Sequence, residues 1–219
     1  GPPDSILQMY KRAWEGHLRQ FTLAKTTEVP FARDGMYYKE FPVMFDWLHN
    51  SEGLTVFNLQ GLSDPYDRAF QKRVRRYAGF YMNEDPQAAN YDPQHKIIKS
   101  LHNGSRGPKL TPASETDWGG LPVEGQPERG TNYSTAANTR GGHPLNLCST
   151  TLAMNAYMLT QEPKYKKWLL EYPSAWRDRI LQNGGNIPTN IGLDGTIGGE
   201  WDGKWYGGTF GWNFWPQSS

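Results

Sequence analysis

Twice along this chain a helix apolar around much of its circumference is followed by an amphipathic helix and then by a long glycine-rich loop. That order constrains the fold more than any single motif does. The first pair starts with a predicted helix over Lys39 to Phe57, carrying Phe41, Phe45, Trp47, Leu48 and Leu54 and closed by Gly61. Ser63-Asp64-Pro65 opens its partner, with Asp64 as the expected N-cap, Pro65 at the first helical position and Asp67 at the positive end of the helix. Phe70, Val74, Tyr77 and Tyr81 fall on one stripe, and Arg68, Lys72, Arg73, Arg75 and Arg76 read as its solvated face.

The second pair is Leu145 to Thr160, uncharged throughout and therefore expected to be buried, followed by Lys164 to about Asn183. Tyr165, Trp168, Leu169, Trp176 and Ile180 form the inner stripe of the latter, Pro173 is an expected kink, and Gly184 a natural C-terminal cap. A lead helix over Asp4 to Phe21 precedes both pairs. Asp4 caps it, Ile6, Tyr10, Trp14, Leu18 and Phe21 share one face, and His17 lies at that face's rim. Pro86 to Gly142 is mostly loop, with a short helix expected around His95 to Leu101.

Helical hairpins in this order stack into an α/α toroid, with the buried helices inside and the loops at one end carrying the site. The predicted class is all-α, since simple bundles use short connections. Two hairpins and a lead helix are too few to close a ring. Residues 1–219 therefore read as a single domain that forms part of a larger toroid, completed by the remainder of a longer chain or by another subunit. The opening Gly1-Pro2 reads as a protease scar, with the natural start upstream. A signal peptide there would place the protein in the periplasm or outside the cell.

The last stretch, Gly184 to Ser219, interleaves glycines with Trp201, Trp205, Tyr206, Phe210, Trp212, Phe214 and Trp215. Glycine lets backbone approach a ligand closely, and aromatic rings are apolar plates with polar tips. Asp194, Glu200 and Asp202 add carboxylates to the same segment. Rings that stack on sugar faces, beside carboxylates that take hydroxyls, suit a carbohydrate. The competing reading is a loop whose rings only complete the core. Long irregular stretches are more often functional.

The strings FDWLHNSEGLTVFNLQGLSDP (Phe45 to Pro65), HPLNLCSTTLAMNAYMLT (His143 to Thr160) and NGGNIPTNIGLDGTIGGEWDGKWYGG (Asn183 to Gly208) resemble the α/α-toroid carbohydrate-active enzymes, the glycoside hydrolases and polysaccharide lyases of that architecture. They cover about a third of the chain. The resemblance implies a glycan substrate, often acidic, and tyrosine and histidine as proton carriers in a lyase. No single family's catalytic pattern maps onto the chain, so roles are assigned from chemistry.

Elimination at a uronic acid needs a base for the proton α to the carboxylate, a donor for the enolate-like charge and an acid for the leaving oxygen. Asn138, Arg140, His143 and Tyr206 supply such a set, with Arg140 or Asn138 holding the carboxylate and His49 and Asn50 joining from an inner helix. The alternatives are an N-cap role for His143 and a sugar-platform or core role for Tyr206. A hydrolase would instead need two carboxyls. Glu200 and Asp202 would point the same way on an extended segment, with Asp194, Asp117 or Asp34 as flanking partner. Asp194 before Gly195 and Asp202 before Gly203 also read as turn residues. Trp201, Trp205, Trp212 and Trp118 are the candidate sugar platforms, with Asp202 and Asp194 as hydroxyl acceptors.

A formal net charge of +1 gives no electrostatic case for nucleic acid or a membrane surface as partner, and no apolar run is long enough to span a bilayer. Cys148 is the single cysteine, so no internal disulfide forms; it and Ser149 sit in a predicted buried helix and read as structural. There is no P-loop, dinucleotide fingerprint, zinc cysteine pairing or HExxH. No cofactor is expected; a structural calcium stays open, although no loop has the usual ligand spacing. Three functions follow: a uronic-acid polysaccharide lyase first, a glycoside hydrolase second, a non-catalytic glycan-binding or scaffold domain third.

Overall fold

The computed structural model describes residues 3–23, 32–33, 36–37, 60–101, 103–104, 107–108, 110 and 140–206. The predicted helix Lys39 to Phe57 lies outside these residues. The described chain is helix-rich: α1 (Pro3–Leu23), α2 (Arg68–Gly79), α3 (Thr150–Thr160) and α4 (Pro163–Gln182), with a 3₁₀ helix over Pro144–Ser149 leading into α3. It also contains two antiparallel two-residue ladders, β1 (Ala32–Arg33) with β2 (Met36–Tyr37) and β3 (Tyr91–Asp92) with β4 (Ile97–Ile98). No helix among the described residues is long and apolar enough to cross a membrane.

The N-cap of α2 is Asp67, where Asp64 was expected. Its Oδ1 accepts the backbone N–H groups of Ala69 at 3.0 Å and Phe70 at 3.1 Å, the donors that a helix start leaves unpaired. Asp64 and Asp67 both take the Lys11 ammonium, at 2.5 and 2.8 Å, which ties α1 to the start of α2. The apolar stripe falls as the spacing predicts, with Phe70, Val74, Tyr77 and then Tyr81 buried. Its basic face is partly paired, Arg75 meeting Glu162 at 2.6 Å.

Helix α3 packs against both α2 and α4. Leu152, Ala153, Asn155 and Ala156 are buried, two of them small enough to let neighbouring backbones close in. The helix is not buried all round: Thr151, Met154 and Met158 are exposed, and with Leu62 they border a groove of about 290 Å³. An uncharged sequence therefore overstated its burial. Gln161, in the left-handed region at φ 57°, turns the chain, and Pro163 starts α4. Tyr165, Trp168, Tyr172 and Trp176 make the inner stripe of α4, while Leu169 and Ile180 sit half-buried at its edges. Pro173 removes one helical donor without ending the helix.

The short helix expected at His95 to Leu101 is instead the β3–β4 hairpin. Ile97 and Ile98 are fully buried, and the Tyr91 ring packs edge to face with Trp168 and Tyr172, centroids 5.6 and 5.9 Å apart. Buried Asn90 fixes the hairpin's approach: its Nδ2 donates to the carbonyls of Phe80 and Gly104, at 2.7 and 2.8 Å. From this hairpin, single antiparallel bridges step outward: Ser100 to Arg140, Gly142 to Ile191, and Ile191 to Ile197. They carry the glycine loop onto the helical core.

Candidate functional site

Helix α4 ends with Asn183 as its cap and Gly184 in the left-handed region at φ 68°, and Gly185 donates back to the Ile180 carbonyl at 2.9 Å. The loop that follows is pinned to residues 140–143. Gly142 and Ile191 exchange two backbone hydrogen bonds, at 2.7 and 2.9 Å. Gly141, at φ 84°, sits so close that an added Cβ would lie 2.1 Å from the Ile191 carbonyl oxygen. Only glycine fits there.

Arg140 and Glu200 meet in a closed set of bonds. Arg140 Nε donates to Glu200 Oε2 at 3.2 Å, and Glu200 Oε1 accepts the Leu193 N–H at 3.2 Å. Asn190, which is buried, completes the set. Its Nδ2 donates to the Arg140 carbonyl at 3.1 Å and its Oδ1 accepts the Glu200 N–H at 3.1 Å. Arg140 remains half-exposed. Its Nε is the atom that takes part in this set.

His143 lies behind this set, 1% exposed. Its Nε2 lies 3.2 Å from the Arg140 carbonyl, which can only accept, so Nε2 carries the hydrogen and the ring is fixed as that tautomer. Nδ1 is enclosed and makes no hydrogen bond, and the backbone at Thr189 also lies against the imidazole. Burial lowers the imidazole to about 4, so it is neutral at pH 7. The ring occupies the position before the 3₁₀ helix yet makes no side-chain cap bond. It positions the Arg140 backbone and does not reach the surface.

The rings join through Thr189, whose N–H and hydroxyl both donate to the Trp205 carbonyl, at 2.8 and 3.2 Å. Trp205 and Tyr206 stand edge to face at 5.4 Å, with Tyr206 41% exposed. Trp201 is half-buried and anchored by its N–H to Gly198. The segment around Glu200 is a series of turns, not a strand, so the two carboxylates do not share a face by alternation. Asp202 sits at φ 53° before Gly203. Asp194 Oδ1 accepts the N–H and hydroxyl of Thr196, at 3.0 and 2.7 Å, bonds that hold its carboxyl below the usual range. Both are turn residues. Asn138, His49, Trp118 and Trp212, together with Asn50, Asp117 and Asp34, lie outside the described residues.

Sequence reasoning missed Asn190 and a second pair nearby. In the β3–β4 turn, Asp92 Oδ2 accepts from His95 Nδ1 at 2.6 Å. The Asp-Pro-Gln-His string was the available signal, because aspartate at a turn start commonly takes the N–H groups that follow. Among the described residues no group of three or more His, Cys, Asp or Glu side chains could hold a metal ion.

A family model described as Domain of unknown function (DUF8034) matches residues 1–135 and 121–218. The chain belongs to that family. No curated protein and no solved structure matches it.

Proposed function

We propose that this member of the DUF8034 family cleaves an acidic polysaccharide by β-elimination, at the surface that carries Arg140, Trp205 and Tyr206. The carrying observation is Arg140, fixed through Nε by Glu200 and half-exposed beside a ring-bearing loop. A guanidinium so held binds a uronate carboxylate in two-pronged fashion and stabilises the charge that spreads onto it as the α proton leaves. Trp205 and Tyr206 stack on the sugar, and the Tyr206 hydroxyl protonates the leaving oxygen. The α2, α3 and α4 stack is, in this reading, a portion of an α/α toroid.

Among the described residues, elimination is favoured over hydrolysis because two of the candidate carboxylates, Glu200 and Asp194, are already engaged. Glu200 accepts from Arg140 and Leu193, and Asp194 accepts from Thr196. A hydrolase needs two carboxyls flanking the bond. His143, being enclosed and neutral, has a positioning role in place of proton transfer.

The test compares Arg140→Ala and Tyr206→Phe on uronic-acid oligosaccharides. Losing a charge-assisted contact of about 1.5–3 kcal/mol should weaken binding by roughly tenfold or more in Arg140→Ala. Tyr206→Phe should keep binding and lose about 10²–10⁴-fold in turnover. Full turnover in both variants would overturn the reading.

A further inference from the structure

We propose that His95 is the base at this site, held in place by Asp92. The inference rests on the elimination reading above and supplies the proton acceptor that His143 cannot be. The Asp92 carboxylate caps the hairpin turn: Oδ1 accepts the N–H groups of Gln94 at 2.8 Å and His95 at 3.3 Å, and Oδ2 accepts His95 Nδ1 at 2.6 Å. Burial alone would raise that carboxyl; these bonds outweigh it and hold it below the usual range. A carboxylate can only accept, so the ring hydrogen is on Nδ1 and Nε2 carries the lone pair. This is the tautomer opposite to that of His143, on a side chain 28% exposed. A carboxylate that orients an imidazole also stabilises the imidazolium once it forms.

Two further contacts fix the turn against the site. Arg179, on α4, donates to the carbonyls of His95 and Lys96. The ring lies against Gly195, where an added Cβ would come within 2.8 Å of His95 Cδ2. Gly195 belongs to the same turn as Leu193, whose N–H is held by Glu200, the partner of Arg140. His95 and Arg140 are thus anchored to one turn of the loop.

In the step, Nε2 takes the hydrogen on the carbon α to the uronate carboxylate. The electron pair of that C–H bond becomes the new C=C bond as the bond from the β carbon to the glycosidic oxygen breaks. The departing oxygen takes the proton of the Tyr206 hydroxyl, and the histidine and tyrosine then exchange protons with water. No oxidant or reductant is required.

The test begins with the unaltered protein. Diethyl pyrocarbonate labelling of His95 is followed by peptide mass, with oligogalacturonate and oligoglucuronate as probes and tryptophan fluorescence reporting binding. His95 should be labelled faster than His143, and the oligouronate that binds should protect His95 with a half-point equal to its Kd. His95→Ala should bind with that same Kd, lose about 10²–10⁴-fold in turnover and regain part of it with added imidazole. Asp92→Asn should lose turnover without imidazole rescue. Binding without protection of His95, or full turnover in His95→Ala, would overturn the assignment and leave the elimination reading standing. Absence of binding by any oligouronate would overturn both.

Discussion

Arg140 and Glu200, 60 positions apart in sequence, meet Nε to Oε2 at 3.2 Å. The contact closes the loop after α4 onto the residues before α3. The ion pair itself is a rim interaction of about 0.5 kcal/mol or less. Glu200 also accepts the Leu193 N–H, a bond of about 1 kcal/mol. Glu200→Ala should therefore destabilise by about 1–2 kcal/mol and Glu200→Gln, which keeps an acceptor, by less, as read from urea midpoints. Equal losses in the two would contradict this division.

His143 makes stability depend on pH in a defined direction. Burial lowers its folded value to about 4, below the ordinary 6.5. The folded state thus prefers the neutral ring, and this contribution is whole above pH 6.5. It is lost as pH falls towards 4, amounting to on the order of 3 kcal/mol. Urea midpoints at pH 7 and pH 4.5 should differ less in His143→Asn than in the parent. The same pH slope in both would show that the buried imidazole is not its source.

The identity of the α2 cap is a separate test. Asp64 and Asp67 share Lys11, but only Asp67 takes the Ala69 and Phe70 N–H groups. Asp67→Ala should cost about 1 kcal/mol more than Asp64→Ala in thermal or urea unfolding. Equal costs would mean that the Lys11 contact, and not the cap, dominates.

Two glycines separate backbone strain from crowding. Both are in the left-handed region, Gly141 at φ 84° and Gly203 at φ 76°, but only Gly141 has backbone in the path of a Cβ. Gly203→Ala should cost about 1–2 kcal/mol from conformation alone. Gly141→Ala should cost more than about 3 kcal/mol, because the Ile191 carbonyl must move and the Gly142–Ile191 pairing with it. Calorimetric unfolding of the two variants measures the difference.

The helices were legible because their signal is local and repeated. Phe70, Val74, Tyr77 and Tyr81 sit at helical spacing, and so do Tyr165, Trp168 and Trp176. The cap of α2 shifted from Asp64 to Asp67 because both residues suit the role and only the bond geometry separates them. The β3–β4 hairpin was missed because two-residue strands are too short to show alternation, and Ile97-Ile98 fits a helix equally well by composition. The Gly142–Ile191 pairing, which joins the 140–143 segment to the terminal loop, spans about 50 positions and leaves no periodic trace in the sequence. The Arg140–Glu200 bond and the Asn190 hub depend on contacts across 50 or more positions, which no periodicity encodes. The burial of His143 was hidden for a related reason: its place before a proline at a helix start resembles a cap, and its environment comes from Arg140 and Thr189.

The most direct test of the central claim is a single assay of the purified protein against acidic oligosaccharides, reading ultraviolet absorbance and reducing ends together. Elimination leaves a double bond conjugated to the carboxylate, so each cleavage should add both a reducing end and absorbance in equal number. Reducing ends without absorbance would show hydrolysis, and tryptophan-detected binding with neither product would show a binding domain; either result would contradict the account.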